Sequence, residues 1–107
     1  NNIRACAREI VEKNMDNIEF STDEFAREMN MSRSNLHLKL KAITGESTID
    51  FIRKIRFNEA AKLLKDGRYT VAEVSTMVGF NTPSYFATSF KKYFGCLPTE
   101  YIKKSKG

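Results

Sequence analysis

This chain of 107 residues has no tryptophan, one histidine (His37) and two cysteines (Cys6 and Cys96). Each scarcity excludes something. A zinc site takes four nitrogen or sulfur ligands at short spacings. One histidine and two cysteines from opposite ends of the chain do not supply that pattern, so neither a metal nor another cofactor is expected. Two thiols so far apart fit free, buried cysteines in a reducing compartment better than a disulfide. There is no pair of carboxylates in an apolar setting and no glycine-rich phosphate loop, so no residues stand ready to carry a reaction and an enzyme is not expected. No apolar run reaches the roughly 18 residues of a membrane-spanning helix, so no membrane contact is expected. The polar, amphipathic N-terminus does not read as a signal peptide. A start at Asn1 rather than Met points to a fragment of something longer.

What is present is a 41% apolar content with eight phenylalanines and four tyrosines. That suffices for one small domain, or for two very small subdomains sharing a core. The net charge is +5, and its distribution is uneven. Residues 1–31 carry 4 basic and 7 acidic side chains, whereas residues 32–58 carry 6 and 2. Residues 59–80 balance at 3 and 3, and residues 81–107 carry 5 and 1. A segregated basic excess suggests a polyanionic partner.

Both basic blocks start at the second helix of an expected helix-turn-helix. The clearer of the two runs from Thr70 to Gly95. Thr70 with Glu73 reads as a capping box, and Val71, Val74 and Val78 recur at helical spacing. Gly79 suits the left-handed residue that ends a helix. Thr82 caps the next one, with Pro83 at its first position, where a missing N–H costs nothing. Phe86, Phe90, Tyr93 and Phe94 share one face of this helix, and Gly95 stops it. Two short capped helices across a tight turn form the unit whose second helix can enter a DNA major groove.

This ordered set resembles the signature of AraC/XylS-type transcription regulators. The residues that carry the likeness are Gly79-Phe80, Ser84-Tyr85-Phe86, Phe90-Lys91-Lys92, Gly95 and Pro98-x-x-Tyr101, and it extends over roughly residues 3–104. The resemblance implies a bacterial, cytoplasmic protein that binds double-stranded promoter DNA and contacts RNA polymerase, any homodimer forming through regions outside this chain. The Arg53-x-x-Arg56 run and the close of the long helix also look similar to domains fused behind sensor kinase and receiver modules of two-component systems.

Earlier in the chain the pattern repeats. Ile3, Ala7, Ile10, Val11, Asn14 and Ile18 fit one face of a first amphipathic helix whose other face is acidic. Ser21 with Glu24 reads as a second capping box. Phe25, Ala26 and Met29 form the buried side of a short helix, and Asn30 takes the place that Gly79 has later. Ser32 caps a helix with Leu36, Leu40 and Ile43 inward, ended by Gly45. Phe25, Met29, Asn30 and Met31 match Val74, Val78, Gly79 and Phe80 at an offset of 49, and Leu36, Leu40 and Gly45 match Phe86, Phe90 and Gly95 at 50. The change of offset puts one extra residue near Asn81–Ser84. Between the copies, Ser47 and Asp50 start a continuous helix lined by Ile49, Ile52, Ile55, Ala60, Leu63 and Leu64. It spans residues 48–66, ~28 Å at 1.5 Å per residue, against about 34 Å for a turn of B-DNA. Pro98 starts a last helix with Tyr101 and Ile102 inward.

The expected fold is therefore all-α, with about seven helices. A first helix-turn-helix subdomain covers residues 3–45, a linker helix 47–66, and a second subdomain 70–104. The function that follows is sequence-specific binding of double-stranded DNA, with two recognition helices in successive major grooves. The competing reading is a helical module whose basic patches meet an acidic protein.

The buried faces fix the outward ones. In the first recognition helix, Ser34, Leu38 and Lys41 point outward, flanked by Arg33, Asn35 and His37. In the second, Ser84, Thr88, Lys91 and Lys92 point outward with Tyr85 on the flank, and Asn81 and Thr82 stand at the N-terminus, where backbone N–H groups favour a phosphate. Arg33 can pair with guanine and Asn35 with adenine. Lys41, Lys91 and Lys92 suit phosphates. An outward Leu38 wants an apolar partner, either a thymine methyl or a neighbouring domain of the intact protein. Relatives often carry a long polar or basic side chain at the positions of Leu38 and Thr88. Arg53, Lys54 and Arg56 read as the solvated face of the linker helix, with phosphate contact as the alternative.

Overall fold

The computed structural model describes residues 2–106, except the side chain of Lys106, and these residues contain seven α-helices and no strand. In order they are α1 (Asn2–Lys13), α2 (Thr22–Glu28), α3 (Arg33–Thr44), α4 (Thr48–Asp66), α5 (Val71–Met77), α6 (Pro83–Phe94) and α7 (Pro98–Lys106).

The helix starts are written in short polar side chains. The hydroxyls of Ser21, Ser32, Ser47, Thr70 and Thr82 accept from the backbone N–H three residues on, at 3.1–3.2 Å. Each satisfies one of the orphan donors of a first helical turn. At Thr70 the box is complete, since Glu73 Oε1 accepts from the Thr70 N–H at 2.8 Å. Pro83 sits at the first position of α6.

The two helix-turn-helix turns are built alike. In the first, Met31 N–H donates to Ala26 O at 2.9 Å and Asn30 N–H to Arg27 O at 3.0 Å. In the second, Phe80 N–H donates to Ser75 O at 2.9 Å and Gly79 N–H to Thr76 O at 3.1 Å. Both pairs form the Schellman pattern, which closes a helix on one left-handed residue. That residue is Asn30 (φ 59°) in the first turn and Gly79 (φ 82°) in the second. The first turn passes from Met31 straight to its cap Ser32, whereas the second inserts Asn81 between Phe80 and Thr82. Asn81 is thus the extra residue behind the change of offset.

The chain packs as two compact units, one of residues up to Met15 with Glu19–Ile55, the other of Asp16–Ile18 with the chain from Arg56 on. In the first unit Ala7 and Val11 of α1, Phe25 and Ala26 of α2, Leu36 and Leu40 of α3, and Phe51, Ile52 and Ile55 of α4 form one buried cluster. Phe25 lies between Phe20 (ring centroids 5.7 Å apart) and Phe51 (6.2 Å, stacked). The second unit is organised around Phe57. Its fully buried ring has the rings of Phe80, Phe86, Phe90, Tyr93 and Phe94 around it at 4.9–6.5 Å. Burying a side chain of this size stabilises by about 1.5–3 kcal/mol, and well-placed aromatic pairs add about 0.5–1.5 kcal/mol.

Four sequence expectations are corrected. Ile18 fits the face of the first helix by spacing, but α1 ends at Lys13 and Ile18 is 51% exposed. Cys96 is buried as expected, while Cys6 is exposed because it falls on the outer face of α1. Ile49 fits the inner line of α4 by spacing but is 57% exposed. At about 100° per residue, the buried Thr48, Phe51, Ile52 and Ile55 centre on a direction about 110° away from it. Arg56 does not belong to a solvated face. It is half-buried, with Nη2 donating to Asn17 O at 2.9 Å and Nη1 to Gly79 O at 3.5 Å.

Candidate nucleic-acid interface

With Leu36 and Leu40 fully buried, α3 turns Arg33, Ser34, Asn35, His37, Leu38 and Lys41 to solvent. The three residues expected outward, Ser34, Leu38 and Lys41, and the three expected on the flanks, Arg33, Asn35 and His37, are all exposed. Ser32 spends its oxygen on the Asn35 N–H at 3.1 Å, which leaves the Asn35 side chain outside the cap. Lys41 has no carboxylate partner among the described residues.

Arg33 is not free. Its Nε forms an ion pair with Asp23 Oδ1 of α2 at 3.0 Å, both side chains being well exposed. Asp23 was missed from the sequence. It lies in the first turn of α2, where an acidic residue is explained by the helix dipole alone.

Beside α3 lies an open groove of about 580 Å³, whose walls include Arg33, Ser34, His37 and Leu38 from α3 and Thr48 and Ile49 from the start of α4. Leu38 is 65% exposed there.

In the second unit, α6 buries Phe86 and Phe90 and exposes Ser84, Tyr85, Thr88, Lys91 and Lys92, with Asn81 and Thr82 exposed at its N-terminus. Thr82 accepts from the Tyr85 N–H at 3.2 Å, so its oxygen is already engaged as a cap. The Thr88 hydroxyl donates to Ser84 O at 3.0 Å; what it offers outward is an acceptor and a methyl group. The Tyr85 ring rests 5.6 Å from that of Phe80, which holds it on the flank of the helix. Lys91 and Lys92 have no carboxylate partner among the described residues.

Arg56 supports this second helix-turn-helix from inside. It donates to the carbonyl of Gly79, the left-handed residue of the turn, and its pKa is lowered by burial. Its Nε is buried without a partner. A guanidinium so engaged is not available to a phosphate. Arg53 pairs with Asp50 at 3.6 Å, both exposed, and Lys54 with the half-buried Glu46 at 3.8 Å; surface pairs of this kind contribute little.

Among the described residues no group of three or more His, Cys, Asp or Glu side chains is placed to hold a metal ion. No described helix is long and apolar enough to cross a membrane.

Residues 25–104 match the family model of a helix-turn-helix domain. Histidine kinase P4 of Formosa agariphila is 39% identical over 95 residues, which is 89% of this chain and 7% of the kinase. The C-terminal domain of AraT, a response regulator from Geobacillus stearothermophilus, is 31% identical, with a TM-score of 0.88 over 97% of this chain and 86% of that one. The DNA-binding domain of AdpA, solved in complex with a target DNA, shares the fold at a TM-score of 0.85 and 23% identity, over 94% of this chain and 90% of that one. The chain spans only 7% to 32% of the length of several curated relatives.

Proposed function

The chain belongs to the AraC/XylS-type family of helix-turn-helix DNA-binding domains, and from that premise we propose that it is the DNA-reading output domain of a bacterial transcription regulator. One observation carries the reading. In both units a Schellman turn sets a capped helix whose core-facing apolar residues are buried and whose outward face is mostly small, polar or basic, Leu38 of α3 and Tyr85 of α6 being the large exposed side chains. That is the form of a helix that enters a major groove.

The division of labour follows from side-chain chemistry. Arg33 and Asn35 of α3 read purines, through paired contacts to guanine and adenine respectively. His37 flanks them. Leu38 offers a thymine methyl its apolar contact. In α6, Ser84 and Thr88 make permissive contacts to base edges, with Tyr85 at the rim. Lys41, Lys91 and Lys92 neutralise phosphates, and Asn81 and Thr82 bring the N-terminal N–H groups of α6 to another. The 19 residues of α4 suit two half-sites about one helical turn apart, with some bending of the duplex.

Promoter binding in a bacterial cytoplasm, and contact with RNA polymerase, complete the proposed role. The similarity to a histidine kinase and to a response regulator domain supports an origin in a two-component system.

The test is selection of this chain on a random-sequence duplex library at low and moderate salt. A bipartite motif with half-sites about one turn apart is expected. One half-site alone would confine base reading to one helix. Binding that ignores salt would instead favour a module for an acidic protein, because neutralised phosphates make affinity fall steeply with salt.

A further inference from the structure

Single exposed aliphatic side chains are ordinary on protein surfaces. Here two of them, on different helices, open into the same groove. Leu38 of α3 is 65% exposed and Ile49 of α4 is 57% exposed, and both line the groove of about 580 Å³ beside the first recognition helix. Neither belongs to the core of its helix: Leu36 and Leu40 fill it from α3, and Phe51, Ile52 and Ile55 from α4. The remaining wall from α3 is polar and includes Arg33, Ser34 and His37. The charge on Arg33 is balanced by Asp23 at 3.0 Å, so the groove is no strong attractor of a phosphate.

We infer that Leu38 and Ile49 together form an apolar seat for the 5-methyl group of one thymine, and that the first turn of α4 therefore takes part in reading bases. The inference rests on the proposed entry of α3 into a major groove and goes beyond it by adding a second helix. The occupant follows from the surroundings. The groove is continuous with the face that presents Arg33, Ser34 and His37, so whatever meets those residues also covers Leu38 and Ile49. Among the base edges of a major groove the apolar feature is the thymine methyl. Leu38 alone would contact that methyl from one side and leave its other side in water. A second wall at Ile49 removes more of its surface from solvent, and with it comes discrimination.

The test uses this chain and its selected duplex, with each thymine replaced in turn by deoxyuridine, which removes the methyl and keeps the pairing. Affinity is read by fluorescence anisotropy. At one thymine the change should weaken binding about fourfold, the value of one buried carbon. Leu38→Ala and Ile49→Ala should each abolish most of that difference, while Ile49→Val should keep most of it. Circular dichroism checks that the variants fold, and both positions are exposed enough for alanine to be tolerated. Retention of full discrimination by Ile49→Ala would overturn the two-sided seat. If Leu38→Ala still abolished it, Leu38 would be the sole reader and the entry of α3 into the groove would stand. Retention by both variants would assign the apolar pair to a protein partner instead. Failure of the selection to yield any preferred duplex would be the failure of the underlying DNA reading.

Discussion

Replacing Phe57 by alanine is expected to open the second unit while leaving the first folded. The ring is fully buried and has five aromatic rings around it, that of Tyr93 stacked at 4.9 Å. Removing a buried phenylalanine side chain costs about 3–5 kcal/mol, because transfer and cavity terms add. The whole stability of a unit of about half this chain, at about 0.05–0.15 kcal/mol per residue, is roughly 3–8 kcal/mol. The loss is therefore comparable to everything the second unit has. The first unit keeps its own cluster around Phe25 and Phe51. Native-state hydrogen exchange is the assay, since it reports opening element by element. Amides of α5, α6 and α7 should lose protection by two or more orders of magnitude in Phe57→Ala, and those of α2 and α3 should change little. Phe57→Leu, which refills most of the space, should fall between. A destabilisation below about 1 kcal/mol would refute Phe57 as the centre of this packing. Equal loss of protection in both units would refute their energetic independence.

Arg33→Ala should relax the preference at one base position, whereas Lys92→Ala should weaken binding to every sequence alike and reduce the salt slope by about 1. Library selection and salt titration of both variants check this, and equal effects from the two would sink the division of roles. Asp23→Ala should lower guanine discrimination at the position assigned to Arg33 by a few-fold, because an exposed ion pair orients more than it stabilises. It should also raise affinity for unrelated duplexes, since a carboxylate leaves the neighbourhood of the phosphates; unchanged discrimination would remove Asp23 from the site. Asn30→Val should cost about 1–2 kcal/mol by chemical denaturation and Asn30→Gly close to nothing, because only the β-branched residue resists a φ of 59°. Similar midpoints for the two would show that the first turn does not depend on its left-handed residue.

The helix boundaries were legible because their signals are local. A serine or threonine that caps, and a glycine or asparagine that takes positive φ, act within three or four residues of themselves. Ser32, Thr82, Asn30, Gly45 and Gly95 were readable from the chain alone. The outward residues of α3 and α6 followed from the same local logic, since burying Leu36, Leu40, Phe86 and Phe90 leaves them only one place to go. The long helix was less readable. No single stripe runs along α4: the residues buried in its first half and in its second, Phe51, Ile52 and Ile55 against Phe57, Ala60 and Leu64, occupy different faces of the helix. A single line along the helix takes in Ile49, which is exposed, and leaves out Phe57, which is buried. Arg56 and Asp23 were hidden for another reason. Their partners, Asn17, Gly79 and Arg33, are set by tertiary packing, which no spacing encodes.

The central claim is that this chain reads the sequence of double-stranded DNA. The most direct measurement is the ratio of its affinities for the selected duplex and for a scrambled duplex of the same composition, followed from about 50 to 200 mM salt. The account predicts a preference of a thousandfold or more near physiological salt. It also predicts that both affinities fall with salt as phosphate contacts are lost. Equal affinities for the two duplexes across that range would contradict it, reducing the outward faces of α3 and α6 to a basic surface without sequence preference.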